Sequence, residues 1–291
     1  MAVTLDWYGC ATFRLEVDGL TLFLDTFMDR PEGAPDVGMS TDRVPKADYA
    51  FIGHSHWDHL AGADVIAKRT GCVIIGSHET GRVMRERGVP EEQLWYAQGG
   101  ERYRLSDSVS VRVFPSLHSC TWTRMARPGT VVTGDYGVFE NERQARSNER
   151  REQRTAGQDP EVDRGAGSSS TGGTLDFLIE TPYGSVFFQD SMGFFQGLYT
   201  GIRADVAILS AGGRGNLDGE PFQGSIEQFI LHETLLLRPK QVLLNHHDNF
   251  TGHPRAPQVT DMTAVHEELA RVTPEVELLE MPLGGRITLF A

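Results

Sequence analysis

His54-Ser55-His56-Trp57-Asp58-His59 packs three imidazoles and a carboxylate into six residues. It follows the strand-like run Asp48-Tyr49-Ala50-Phe51-Ile52-Gly53, so the four polar heads gather where a buried strand opens onto a loop. Imidazole and carboxylate are the ligands of zinc, iron and manganese, and a metal repays the desolvation of four such groups together. A polar surface turn is the plainer reading. It gives no reason for a His-x-His-x-Asp-His order directly after an apolar strand, so the metal reading takes precedence.

Other apolar runs end in residues of the same chemistry. Val111-Arg112-Val113-Phe114-Pro115-Ser116-Leu117 leads into His118, and Ser185-Val186-Phe187-Phe188-Gln189 leads into Asp190. Gln241-Val242-Leu243-Leu244-Asn245 leads into His246, and Leu22-Phe23-Leu24 ends in Asp25. With the opening motif, this order of ligand types resembles the metallo-β-lactamase superfamily at seven positions spread over nearly the whole chain. The resemblance implies an α+β fold, a four-layer αββα sandwich. It also implies two divalent metal ions, zinc foremost and manganese or iron as the alternatives.

By the same resemblance, His54, His56 and His118 hold one ion, Asp58, His59 and His246 hold the other, and Asp190 bridges them. Asp25 corresponds to a buried carboxylate that orients a ligating imidazole or nearby backbone. Asp58, Asp190 and Asp25 are thus the carboxylates assigned to the catalytic machinery. Two cations about 3.5 to 4 Å apart share a water whose pKa falls towards neutrality, and the bridging hydroxide attacks a carbonyl or phosphoryl centre. No protein nucleophile is required. His247 adjoins His246, but neighbouring side chains at a strand end point oppositely, so only one is expected to reach the metals.

Three residues are candidate substrate contacts. Ser210-Ala211-Gly212-Gly213-Arg214-Gly215-Asn216 follows a strand and can converge backbone N–H groups on an anion, with Arg214 adding a fork of donors. Gly-rich turns without ligands are common, so this signal is weak alone. Asp248 and His253, in the loop after His246, are candidates to line the pocket and give a proton to a leaving group. The Gly-Gly turn and the aspartate at position 190 resemble the lactonase and phosphodiesterase-like branch of the superfamily. The reading is therefore a dinuclear metal-dependent hydrolase of a small ester, lactone or phosphodiester, with an anionic substrate favoured.

Rival readings are a tRNA-processing-type nuclease, a β-lactamase and a non-hydrolytic metal-binding relative. A nuclease needs a basic surface, and the chain's net charge of −13 disfavours a nucleic-acid partner. A β-lactamase usually carries Cys where this chain has Asp190. A flavo-diiron oxidoreductase needs an appended flavin domain, and usually a Glu where this chain has His56. An apolar fraction of 39% with 23% charged residues fits a soluble globular domain. No run approaches the roughly 18 to 20 apolar residues of a membrane helix, and the first residues carry no visible secretory signal, so the expected place is the cytoplasm. Three separated cysteines, Cys10, Cys72 and Cys120, argue against a disulfide framework. Cys10 and Cys72 read as small core fillers. Cys120, two residues past His118, reads as buried or pocket-lining.

The whole chain, residues 1–291, reads as one domain. Strands are expected at 3–8, 11–17, 20–24, 72–75, 108–114, 175–181, 185–189, 206–209, 241–244 and 286–290, and helices at 63–70, 79–87, 226–237 and 258–272. Residues 140–173 stand apart. They are rich in Arg, Glu and Gln, then in Gly and Ser, with almost no apolar residues to offset the entropy of ordering. A solvated helix at most, and otherwise a mobile loop, is expected there. It would serve as a lid over the site or as a neutral insertion.

Overall fold

The computed structural model describes residues 2–155 and 166–291. Two seven-stranded mixed sheets face each other. The first runs, in spatial order, Arg286–Phe290, Val3–Trp7, Phe13–Val17, Leu20–Leu24, Tyr49–Phe51, Val73–Gly76 and Leu94–Tyr96. The second runs Glu277–Leu279, Gln241–Asn245, Val206–Ser210, Ser185–Phe188, Thr174–Glu180, Ser110–Ser116 and Arg102–Arg104. Each sheet has an antiparallel part made of hairpins and a parallel part in which neighbouring strands run the same way.

Alternation along the strands explains the layering. Leu5, Phe13, Leu15, Leu24 and Phe51 of the first sheet meet Val113, Phe177, Ile179, Phe188 and Ile208 of the second in one buried core. The opposite face of the first sheet, through Phe23, Ala50 and Ile74, is covered by the helices Ala63–Thr70 and His78–Glu86. The opposite face of the second sheet, through Phe187, Ala207, Leu209 and Val242, is covered by Ile226–Leu237 and Thr263–Val272. This is the four-layer αββα sandwich, with helices outside and two sheets within. No helix among the described residues is long and apolar enough to cross a membrane.

Three differences from the sequence expectations have clear causes. The last helix begins at Thr263 rather than near 258, because residues 258–260 are drawn into extended pairing with the loop after His246. Asn249 N–H donates to Gln258 O at 2.8 Å and Thr260 N–H to His247 O at 2.7 Å. The short strands Leu94–Tyr96, Arg102–Arg104 and Glu277–Leu279 escape sequence reading, since three residues carry too little periodicity.

The third difference concerns residues 140–173. Their first part is the helix Glu140–Thr155, held by guanidinium groups rather than by an apolar stripe. Arg143 pairs with Glu220 at 2.6 Å and lies over the Trp122 ring, and Arg146 pairs with Asp135 at 2.8 Å. The expected mobile loop falls partly on residues 156–165, which lie outside the described residues. From 166 on the chain is docked: Ala166 is buried, and Ser168 N–H donates to Ser55 O at 2.7 Å while Ser55 N–H donates to Thr171 O at 2.9 Å. The Gly/Ser composition suits this close approach. Gly172 adopts a φ of +71°, and a Cβ there would lie 2.3 Å from that of Glu79.

Candidate metal centre

Every strand that feeds the site ends at the same edge of the sandwich. Leu20–Leu24 delivers Asp25, Tyr49–Phe51 delivers the His54–His59 stretch, Ser110–Ser116 delivers His118, Ser185–Phe188 delivers Asp190 and Gln241–Asn245 delivers His246. The pocket therefore straddles the seam between the two sheets. Residues 57–60 wind into one helical turn, with Leu60 N–H donating to His56 O at 3.0 Å. Thr26 N–H donates to His59 O at 2.9 Å, which ties the end of that turn to the first sheet.

Among the described residues, three groups of side chains have ligand atoms within 4.8 Å of one another: His54, His56 and His118; Cys10, Asp58, His59 and His246; and His54, His59 and Asp190. In the first group the ring centroids lie 4.7 to 4.8 Å apart, each pair close to edge-on. His54 Nε2 lies 3.1 Å from His56 Nδ1. The outer nitrogens are already engaged: His54 Nδ1 faces Asp190 Oδ2 at 2.6 Å, and His118 Nδ1 donates to Ser119 O at 2.8 Å. The lone pair of His118 is then left on Nε2. In the second group Asp58 Oδ2 lies 3.8 Å from His59 Nε2 and 3.6 Å from His246 Nε2.

Behind these groups sit two carboxylates. Asp25 Oδ2 lies 2.6 Å from His59 Nδ1, and its Oδ1 accepts from Gly53 N–H at 3.0 Å. Asp190 Oδ2 also lies 3.3 Å from His59 Nδ1, so it touches the outer nitrogens of imidazoles in both groups, while its Oδ1 is buried without a partner. Gly53 makes room for it: a Cβ there would stand 2.1 Å from Asp190 Cγ.

Burial governs the protonation states. It pushes His54 down to about 3, and pushes His59 and His118 well below the ordinary imidazole value, so their lone pairs are free near neutral pH. Burial pushes Asp190 up to about 7, and burial together with Asp190 raises Asp25. For Asp58 burial acts upward too, but the neighbouring imidazoles of His59, His246 and His56 outweigh it and hold the carboxyl well below its usual range.

These residues fit divalent cations. One proton can bridge only two of the three nitrogens that converge from His54, His56 and His118, whereas a tetrahedral cation takes all three and leaves a position open. The unpartnered buried Oδ1 of Asp190 points to a missing positive partner as well.

The candidate substrate contacts fare differently. Arg214 is 2% exposed, and its guanidinium is spent inside the protein, donating to Gly134 O at 3.0 Å and to Phe222 O, with Asp135 at 3.4 Å. It pins one loop to another and is not available to a substrate, which corrects its assignment. The Gly-rich turn likewise uses its carbonyls, with Cys120 N–H donating to Arg214 O at 2.9 Å. Asp248 is buried; its Oδ1 accepts from Cys10 N–H at 2.7 Å and its Oδ2 pairs with Arg30, so it orders backbone rather than lining a pocket. His253 is exposed on a loop closed by Asn249, which accepts from His253 N–H at 2.9 Å. His247 turns away from His246 and stacks on Trp7 at 5.0 Å. Cys10, taken from sequence as a core filler, stands instead among the ligand heads of the second group. It escaped notice because an isolated cysteine so far upstream of the histidine motif carries no spacing signal.

A family profile described as a beta-lactamase superfamily domain matches residues 21–140. A metal-dependent hydrolase of Pyrobaculum arsenaticum is 35% identical over 134 residues, covering 45% of this chain and 57% of the relative, so the chain spans little more than half of that protein. The solved structure of Igni18, a metallo hydrolase from Ignicoccus hospitalis, aligns over 100% of both chains with a TM-score of 0.64 at 19% identity. CmlA, a diiron β-hydroxylase from Streptomyces venezuelae, aligns over 100% of this chain and 54% of its own, with a TM-score of 0.62 at 16% identity. The chain therefore has the fold of these metallo hydrolases, and its residues 21–140 are similar to the beta-lactamase superfamily domain.

Proposed function

We propose that the chain is a metal-dependent hydrolase that holds two divalent cations, zinc foremost with manganese or iron as alternatives, and cleaves a small ester, lactone or phosphodiester. The observation that carries this reading is the convergence of His54, His56 and His118, whose outer nitrogens on His54 and His118 are already committed. The named activity of the Pyrobaculum arsenaticum relative supports it. The CmlA likeness shows that the fold alone does not decide the chemistry.

His54, His56 and His118 would hold one cation, and Asp58, His59 and His246 the other, with Asp190 between them. Bound cations would supply a water of lowered pKa and polarise the carbonyl or phosphoryl oxygen under attack. Asp25 keeps the His59 ring turned with Nε2 inward, and Asp190 does the same for His54. The ionised carboxyl of Asp58 adds negative charge to one side only. With Arg214 withdrawn, recognition of an anionic substrate would rest on the cations themselves, because no side-chain fork faces the site from that turn.

The test is elemental analysis of protein prepared in metal-rich medium, combined with turnover of a lactone, a phosphodiester and a β-lactam. Two metals per chain and metal-dependent turnover of the first or second substrate are expected. One metal or none, or turnover indifferent to chelation, would overturn the reading.

A further inference from the structure

We propose that Cys10 is a further protein ligand of the second cation, so that a thiolate joins Asp58, His59 and His246 beside the shared Asp190, where the resemblance implies no sulfur. The inference rests on the reading of the His/Asp cluster as a metal centre. Its own ground is geometric. The sulfur of Cys10 and the ligand atoms of Asp58, His59 and His246 lie within 4.8 Å of one another. Metal bonds of about 2.0 to 2.3 Å give tetrahedral ligand–ligand edges of roughly 3.3 to 3.6 Å. The separations of Asp58 from His246 and His59, 3.6 and 3.8 Å, already approach this.

The chain fixes Cys10 from three directions. Its N–H donates to Asp248 Oδ1 at 2.7 Å, and Asp248 is in turn held by Arg30. Its carbonyl accepts from His246 N–H at 2.9 Å and from Trp7 Nε1 at 3.2 Å. The backbone bond to His246 joins the cysteine directly to another ligand of the same group. The thiol is fully buried, with Sγ 3.4 Å from Asp58 O, so it faces the stretch that carries Asp58 and His59. A cysteine serving only as a space filler needs neither this anchoring nor these neighbours. Asp248 thereby acquires a part as a positioning residue for Cys10.

Ligation replaces the S–H bond by a sulfur–metal bond and releases the proton to solvent. A thiolate is a soft ligand, so the second position would select zinc, cobalt or iron over manganese, whereas the all-imidazole position would discriminate less.

Cobalt titration of the metal-free full-length protein tests this. At two cobalt ions per chain, a thiolate-to-cobalt charge-transfer band is expected. The band should persist in the Cys72→Ser/Cys120→Ser double variant and vanish in Cys10→Ser. Cobalt affinity at the second position should fall in Cys10→Ser by more than the roughly 10- to 100-fold typical of losing an outer partner. Two bound cobalt ions without a charge-transfer band in the native chain would overturn the ligand proposal and leave the metallohydrolase reading intact. Failure to bind cobalt at all would overturn both. A band lost only in the double variant would assign the sulfur elsewhere and also overturn the proposal. Because the band is read first in the native protein, the result does not depend on how well Cys10→Ser folds.

Discussion

His54, His56 and His118 meet as three imidazoles, two of them, His54 and His118, held neutral by burial, whereas Asp58, His59 and His246 meet around a carboxylate that stays ionised, with the Cys10 thiol beside it. The first group is drawn from both sheets and contains no carboxylate. The second is drawn from both sheets as well, yet it sets the Asp58 carboxylate beside His246, whose imidazole is lowered by burial but raised further by Cys10 and Asp58, and so holds its proton well above the usual range. A cation entering the first position exchanges water for nitrogen lone pairs alone. One entering the second meets the Asp58 carboxylate in a dry setting, where charge attraction is least screened, but has to displace the proton held on His246. Similar ligand counts can therefore hide unequal affinities.

The sharpest way to break this contrast is to remove what the two sides share. Asp190→Ala should abolish turnover and lower occupancy of both positions, because its carboxylate touches His54 and His59 alike. Elemental analysis showing one position unchanged would confine Asp190 to a single side. Next comes a paired comparison, His118→Ala against His246→Ala. The first leaves two imidazoles and should empty its position, while the second leaves a carboxylate, an imidazole and a thiol and should retain a weakened ion. Isothermal titration with zinc would resolve the two; equal losses would mean that charge does not distinguish the sides. A smaller effect is expected for Asp25→Asn, which keeps the shape but weakens the hold on His59 Nδ1. Affinity at the second position should drop about 10- to 100-fold, with the first unaffected.

The faintest expected effect concerns outer support on the first side. Residues 166–173 brace Ser55, and Ser168 donates to Glu79, which Arg82 and Ser168 hold down at about 2. A depressed carboxyl contributes stability above its unfolded value of about 4.3, and that contribution is lost as pH falls towards 2. Glu79→Gln should thus speed amide exchange at Ser55 and Ser168 at pH 6 and make no difference near pH 2. Glu79 is half-buried at the surface and its pair with Arg82 is screened by solvent, so the effect should stay within about 1 kcal/mol. An effect independent of pH would show that the carboxylate is not what fastens the segment.

The candidate ligand positions were open to sequence reading because each follows an apolar strand, and strands that open at one edge bring their next residues together. Alternating strands and helices indicated sheet layers covered by helices, and the four-layer order came from the resemblance those positions carry. What stayed hidden depended on direction rather than composition. A Gly-rich turn announces converging backbone but not where the following side chain points, and Arg214 points inward. Gly and Ser in 166–173 signal weak intrinsic order, yet their order comes from pairing with the backbone of Ser55, which composition does not register. The helix Glu140–Thr155 lacks an apolar stripe and is anchored through arginines to partners far along the chain. Cys10 combines both difficulties, since its turn has a φ of +47° and its neighbours arrive from elsewhere in the sequence.

Because the pocket lies on the seam, cations bound there would act as rivets between two half-molecules. Asp25 and the His54–His59 stretch belong to one sheet, and His118, Asp190 and His246 to the other. Ligand that binds only the folded state adds about 2.7 kcal/mol at a concentration 100 times its dissociation constant. Chelation should therefore lower the melting temperature of the entire sandwich, not merely silence one edge of it, and the unfolding of this chain becomes a gauge of the metal supply around it.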